Sequence, residues 1–233
     1  MPTAVVTGAN SGIGNALARI LVKQGYKVIA VDINIGAPIA ELGCETLKLD
    51  VSSRHDIEAF KDQMADRPID LLLNVAGVMY PQDSDTLDKV TLTKLQKTFA
   101  VNTFGPLLLT QALLPSIEKS ERPVVAVMSS RVGSIGDNFT GGMYAYRSSK
   151  TAANMLFYNL SIDLKPRKIT VLVLHPGIVK TNMDRRWSQG GNKDVQGAVE
   201  PEVAASDLWK VLMSKGLEST GKFFHRNGDE LPW

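Results

Sequence analysis

Short apolar runs recur along the chain at Ala4 to Val6, Val28 to Val31, Thr46 to Leu49, Ile69 to Leu73, Val124 to Met128, Ile169 to Leu174 and Lys222 to Phe224. Each has the length of a strand, and most lack the strict apolar/polar alternation of a sheet with one wet face. Between most of them the apolar positions follow the period of an amphipathic helix, over Ile13 to Gln24, His55 to Ala65, Leu87 to Val101, Gly105 to Ser120, Tyr146 to Leu164 and Pro201 to Met213. Strands alternating with helices predict an α/β fold with a seven-stranded, mainly parallel sheet covered on both faces. Right-handed crossovers reduce the topology to a single doubly wound sheet over residues 1–233. Lys180 to Val199 departs from the pattern, because it is polar, contains Gly190, Gly191 and Gly197 and has little periodicity; residues 180–199 are therefore expected to form a substrate loop.

Composition narrows the function classes. A chain of 233 residues is long enough for one sizeable core. Its formal charge of +2 and the absence of basic runs interleaved with aromatics argue against nucleic acid as a partner. Cys44 is the only cysteine, which excludes an intrachain disulfide and any CxxC motif and fits a reducing compartment. His175, His55 and His225 are not spaced as metal ligands, so no metal site is expected. The start of the sequence lacks the pattern of a signal peptide, and Leu71 to Leu73 or Val171 to Leu174 fall far short of the ~20 residues that span a bilayer. The expectation is a cytoplasmic protein without a membrane partner.

The first chemical signal is Thr7-Gly8-Ala9-Asn10-Ser11-Gly12-Ile13-Gly14, lying between a predicted strand and a predicted helix. That context is what a dinucleotide-binding loop requires, although such a turn can also simply join the two elements. Gly8 permits the tight turn, Gly12 lets the backbone approach a pyrophosphate, and Gly14 lets helix and strand pack closely, with the helix N-terminus presenting free amides. Asp32 ends the second apolar run about twenty residues later, where an acid hydrogen-bonds the adenosine ribose and repels a 2′-phosphate. Neither Ile33 nor Asn34 supplies a compensating cation, so NAD is favoured over NADP, and the sheet reads as a Rossmann fold.

The second signal is Tyr146-Arg147-Ser148-Ser149-Lys150, which sets a phenol and an ammonium one helical turn apart. An ordinary tyrosine holds its proton at neutral pH. A neighbouring ammonium favours the phenolate, and Lys150 is expected to lower Tyr146 and make it usable as acid and base. The spacing alone is common; its place after a fifth strand makes it informative.

Taken in order along the chain, these motifs resemble the classical short-chain dehydrogenase/reductase family over essentially the whole length. The glycine motif is joined by Leu49-Asp50-Val51, Asn74-Val75-Ala76-Gly77, Val101-Asn102-Thr103 and Pro176-Gly177-Ile178-Val179-Lys180-Thr181. The resemblance implies that Asp50, with Val51, meets the adenine and that Asn74, Ala76 and Gly77 support the sheet beside the cofactor. It implies that Asn102 holds a relay water through its backbone, that Ile178 meets the carboxamide, and that Thr181 binds the carboxamide or the phosphate. Ser129-Ser130-Arg131-Val132-Gly133-Ser134-Ile135 and the final Leu231-Pro232-Trp233 are similar to the C-factor and sniffer-type carbonyl reductases. The catalytic hydroxyl is assigned to Ser130, with Ser134 as the alternative because the interval to Tyr146 is longer than usual; Ser129 is expected to point away. The implied reaction is hydride transfer between a nicotinamide and a small-molecule carbonyl or alcohol. Ser130 would hold the oxygen, Tyr146 carry the proton, Lys150 tune Tyr146 and bind the ribose, and Asn102 complete the relay. A homo-oligomer, dimer or tetramer, is implied through the helices at Gly105 to Ser120 and Tyr146 to Leu164, although apolar residues there can instead be buried by the extended C-terminal segment. Arg131, Phe139, Met143, Tyr144, Met183 and Trp187 are candidate pocket residues, and Arg131 or the Arg185-Arg186 pair candidate carboxylate partners, with solvated arginines the simpler reading. The competing function is a dinucleotide-binding sensing or signalling protein on the same fold.

Overall fold

The computed structural model describes residues 1–65, 67–183 and 195–233. Seven strands, β1 (Thr3–Thr7), β2 (Lys27–Asp32), β3 (Glu45–Lys48), β4 (Leu71–Asn74), β5 (Val124–Met128), β6 (Thr170–His175) and β7 (Lys222–His225), form one sheet. Its order is β3-β2-β1-β4-β5-β6-β7, and every neighbouring pair is parallel. Connections run outward in both directions from between β1 and β4, leaving a crevice beyond their carboxyl ends. Thr7 fastens that point, because its hydroxyl accepts the Val75 and Ala76 amides at 2.9 and 3.0 Å.

Successive strand residues face opposite layers, which is why the runs are apolar throughout. Ala4 and Val6 pack with Leu17 and Leu21 of α1 (Gly12–Lys23) and Leu208 of α7 (Pro201–Ser214). Val5 lies in the opposite layer with Phe60 of α3 (Arg54–Met64), Leu109 and Leu113 of α5 (Gly105–Ile117), and Phe157 of α6 (Tyr144–Leu164).

The helix boundaries differ from expectation in three places. The four-residue α2 (Ala37–Ala40) is too short to show a period. The helix expected from Leu87 begins at Leu92, where the Thr91 side chain caps α4 (Leu92–Phe99). The expected break after Val101 is instead a π-helical turn, Ala100–Phe104, running directly into α5. Single π turns of this kind often occur at functional sites.

Among the described residues no helix is long and apolar enough to cross a membrane. Leu108 on α5 and Met155, Tyr158 and Ile162 on α6 are exposed, and the Tyr158 ring meets that of Trp233 edge-on at 5.7 Å. Val179 and Val199 form a parallel bridge that closes the base of the expected substrate loop. Most of that loop, including Arg185, Arg186 and Trp187, lies outside the described residues.

Candidate active site

The carboxyl ends of β1, β2, β4 and β5 open on a cleft of about 320 Å³. Gly8, Ser11, Gly12, Ile13 and Gly14 form one wall, and Asp32 with Asp50 and Val51 closes one end. Ala76 and Gly77 cross the floor, and Tyr146 and Lys150 face it together with Pro176 and Thr181. The glycine wall is built by close approach: a Cβ on Gly14 would lie 2.2 Å from the Gly8 carbonyl oxygen. At the head of α1, Ser11 makes no side-chain cap bond and the first turn contains no acid, so its amides are available to an anion. Thr181 comes close on the opposite side, its methyl 3.2 Å from where a Gly12 Cβ would stand.

Asp32 is fixed by two backbone donors, the Asn10 amide on Oδ2 and the Asn34 amide on Oδ1, both at 3.0 Å. Asn10 does not itself line the cleft; its Oδ1 accepts the amides of Gly36 and Ile39 and holds the α2 turn. Asn74 is buried beneath the floor and donates to the Thr110 hydroxyl at 3.3 Å. Asn102 binds Val78 in both directions, at 2.8 and 2.9 Å, and donates to the Ser149 hydroxyl. A Cβ at Gly77 would lie 3.3 Å from Asn102 Oδ1 and 3.6 Å from Lys150 Nζ, so these three residues converge. Gly177 has φ +76° and is backed by Arg226 and His225, while the Ile178 carbonyl accepts the Val199 amide.

The three serines after β5 separate clearly. Ser129 lines the cleft beside Met128, but its hydroxyl is spent on Asn154 Oδ1, to which it donates at 2.5 Å. Ser134 is buried and accepts the Asp137 amide within its own loop. Ser130 accepts the Val132 amide at 3.4 Å and is the serine whose hydroxyl bears on the Tyr146 phenol, favouring its phenolate. Lys150 Nζ donates to the Met128 carbonyl at 2.7 Å and lies 5.8 Å from the centre of the Tyr146 ring. Neither Met128 nor Ser149 carries a local sequence signal for these contacts, which arise only when β5, the π turn and α6 meet.

The ionisation balance corrects one expectation. Burial pushes the Tyr146 phenol up to about 12, against the lowering influence of its hydrogen bond with Ser130. Burial also draws the Lys150 ammonium down to about 8. Lys150 therefore does not pull Tyr146 below its ordinary value in this structure; desolvation of both groups disfavours both charges. Because Lys150 binds fewer protons folded than unfolded between pH 8 and 10.5, its contribution to stability rises with pH across that window, opposed near the top by Tyr146, whose folded pKa is raised. Relative to a Lys150→Met variant, which lacks this titration, the wild type should gain on the order of 2 kcal/mol from pH 7 to 10.5. Thermal unfolding of both proteins along a pH series measures the difference, and parallel stability curves would contradict the shift.

The remaining candidates lie at the margin. Arg131 is ion-paired with Asp137 at 2.7 Å, as expected of a surface arginine. Phe139 and Tyr144 are exposed, Met143 sits in left-handed backbone at φ +50°, and Met183 Cε lies 3.7 Å from the Gly77 Cβ position. His175 stacks obliquely on His225 at 5.3 Å, and the described residues contain no cluster able to hold a metal. Half-buried Cys44 packs against the core.

With that geometry in hand, likeness to known proteins is informative. The short chain dehydrogenase family model matches residues 2–192. A Rhodococcus sp. (strain AD45) protein named 1-hydroxy-2-glutathionyl-2-methyl-3-butene dehydrogenase is 36% identical, with 100% of both chains covered. The Myxococcus xanthus protein named C-signal is 35% identical over 76% of this chain and all of its own. Among solved structures, an NADPH-bound carbonyl reductase from chicken fatty liver has a TM-score of 0.88 at 28% identity, covering 100% of this chain and 99% of that one. The carbonyl reductase Sniffer of Drosophila melanogaster has a TM-score of 0.88 at 27% identity over both full chains.

Proposed function

The chain belongs to the short-chain dehydrogenase family, and from that premise we propose that it interconverts a small-molecule carbonyl and alcohol, with Tyr146 carrying the proton. The observation that carries this reading is that Tyr146 and Lys150, one helical turn apart and both buried, face the glycine-walled cleft together, with Ser130 bearing on the phenol. The cleft fits a dinucleotide: glycines bring the backbone close, free amides at the head of α1 suit a pyrophosphate, and Asp32 suits a ribose diol. Bound there, a nicotinamide dinucleotide supplies hydride to a carbonyl carbon or removes it from a carbinol carbon.

The protein's own work concerns the oxygen. Ser130 donates a hydrogen bond to the substrate oxygen and orients it toward Tyr146. A phenol raised to about 12 keeps its proton through neutral pH and releases it as that oxygen gains negative charge. Lys150, held by the Met128 carbonyl, steadies the phenolate left behind and binds the nicotinamide ribose. Asn102 fixes the Val78 main chain beside Lys150, and its backbone holds the water that returns a proton through the lysine.

NAD is the proposed coenzyme, because Asp32 lines the cleft and Ile33 to Gly36 supply no cation for a 2′-phosphate. The chicken neighbour binds NADPH, so the preference is the sharper part of the proposal. The test offers purified protein aldehydes, ketones and diketones with NADH and NADPH in parallel. The Rhodococcus relative's name specifies a glutathionyl-substituted 1-hydroxy compound, so a glutathione-conjugated alcohol is included. NADH should exceed NADPH in kcat/KM by about tenfold or more, and Asp32→Ser should narrow or reverse the ratio. NADPH preference in the wild type would overturn the coenzyme assignment, and binding without turnover across the panel would favour the sensing role over catalysis.

A further inference from the structure

Helix α6, which carries both Tyr146 and Lys150, begins without a cap of its own. Met143 precedes it in left-handed backbone and makes no side-chain cap bond. The amides of Tyr144, Ala145 and Tyr146 instead converge on Asp85, 60 residues before Ala145. The Asp85 carbonyl accepts Tyr144 at 3.4 Å, Oδ1 accepts Ala145 at 2.9 Å, and Oδ2 accepts Tyr146 at 3.1 Å. Asp85 is completely buried, and among the described residues no side-chain cation pairs with it. A buried carboxylate is costly unless its charge is met, and here the positive end of a 21-residue helix meets it.

The mount beneath Asp85 is equally fixed. Lys94 of α4 donates to the Ser84 and Lys89 carbonyls at 2.6 and 2.9 Å, and the Ser84 hydroxyl donates to Pro81 at 2.9 Å. On the other side Arg147 donates to the Val132 carbonyl at 3.1 Å, tying the Ser130 loop to the same turn of α6. Asp85 thus locks the main chain of Tyr146 at one end while Arg147 holds the serine loop at the other.

We infer that Asp85 is a positioning residue, whose buried carboxylate caps α6 in place of Met143 and sets the Tyr146 phenol against Ser130. The inference rests on the proposed role of Tyr146, and its consequence is a kinetic effect larger than loss of an ordinary cap would produce. Removing the carboxylate frees the first turn of α6, so the phenol is misplaced while the glycine wall stays intact. Misplacement of a reacting group by about 1 Å can cost on the order of 10²-fold in rate.

The test compares wild type, Tyr146→Phe, Asp85→Ala and Asp85→Asn, with kcat counted per NADH-binding site and amide exchange followed at Ala145 and Tyr146. Asp85→Ala should lose on the order of 10²-fold in kcat while KM and NADH affinity move by about threefold or less, with protection lost at both amides. Asp85→Asn keeps one side-chain carbonyl acceptor and should recover to within about tenfold of wild type. If Asp85→Ala does not fold, Asp85→Asn decides: kcat lowered by about three- to tenfold with KM and NADH affinity unchanged supports the inference, and kcat equal to wild type overturns it. Unchanged kcat per binding site with only a lower Tm would make Asp85 merely structural and overturn the inference, as would full amide protection in Asp85→Ala. If wild type shows no Tyr146-dependent turnover, the functional reading fails on its own, and the exchange measurement still reports whether Asp85 caps α6.

Discussion

A Tyr146→Phe variant is expected to lose about 10³-fold or more in carbonyl turnover while binding NADH within about twofold of wild type. The substitution removes one oxygen from a ring that is buried at the head of α6, leaving the ring's own packing in place. The glycine wall, Asp32 and Thr181 are untouched, so coenzyme affinity has no reason to fall. What disappears is the one side-chain acid placed at the Ser130 hydroxyl among the described residues, and no neighbour replaces it: Tyr144 is exposed, and the Ser149 hydroxyl donates to the Tyr146 carbonyl. Because the lost hydroxyl acts in the transition state rather than in binding, the loss should appear in kcat and kcat/KM together. Fluorescence titration with NADH alongside steady-state rates separates the two effects. Turnover retained to within about tenfold would remove Tyr146 from the mechanism.

The second large effect is expected at Gly14. A methyl there would stand 2.2 Å from the Gly8 oxygen and 2.7 Å from its carbonyl carbon, both main-chain atoms that cannot rotate aside. Gly14→Ala must therefore displace α1 from the end of β1, moving the free amides at the head of the helix. Overpacking of this kind costs about 1–3 kcal/mol, and a loss near the top of that range at the phosphate subsite weakens NADH by about 10²-fold. Isothermal titration and thermal unfolding of the variant measure both terms. Unaltered affinity would mean that the glycine wall does not hold the coenzyme.

The sheet was legible because its signals are local. Seven apolar runs and the helical periods between them are sufficient for a doubly wound sheet, and the glycine motif, Asp32 and the Tyr146–Lys150 spacing each lie within one element or one turn. The features that escaped are those made by distant partners. The π turn at Ala100–Phe104 has no compositional mark, and the inward set of Asn102 is sustained by Val78 and Ser149. Asp85 sits in the polar stretch Gln82-Asp83-Ser84-Asp85-Thr86, which reads as an ordinary loop until α6 arrives. Spacing also leaves out the burial of Tyr146 and Lys150: four residues place an ammonium near a phenol, but only the folded chain shows that both are buried, which pushes the phenol up and the ammonium down. The choice among Ser129, Ser130 and Ser134 likewise depends on contacts made by distant partners: Ser129, expected from strand alternation to point away, lines the cleft with its hydroxyl on Asn154, and Ser134 is held within its own loop.

The most direct test of hydride transfer with Tyr146 as proton donor uses NADH deuterated at the transferable C4 position, with the best carbonyl from the panel and product analysis by NMR. Wild type should place deuterium on the carbinol carbon, and Tyr146→Phe should yield almost none in the same time at equal coenzyme occupancy. Alcohol formed without the label, or labelled equally fast by the phenylalanine variant, would contradict the account.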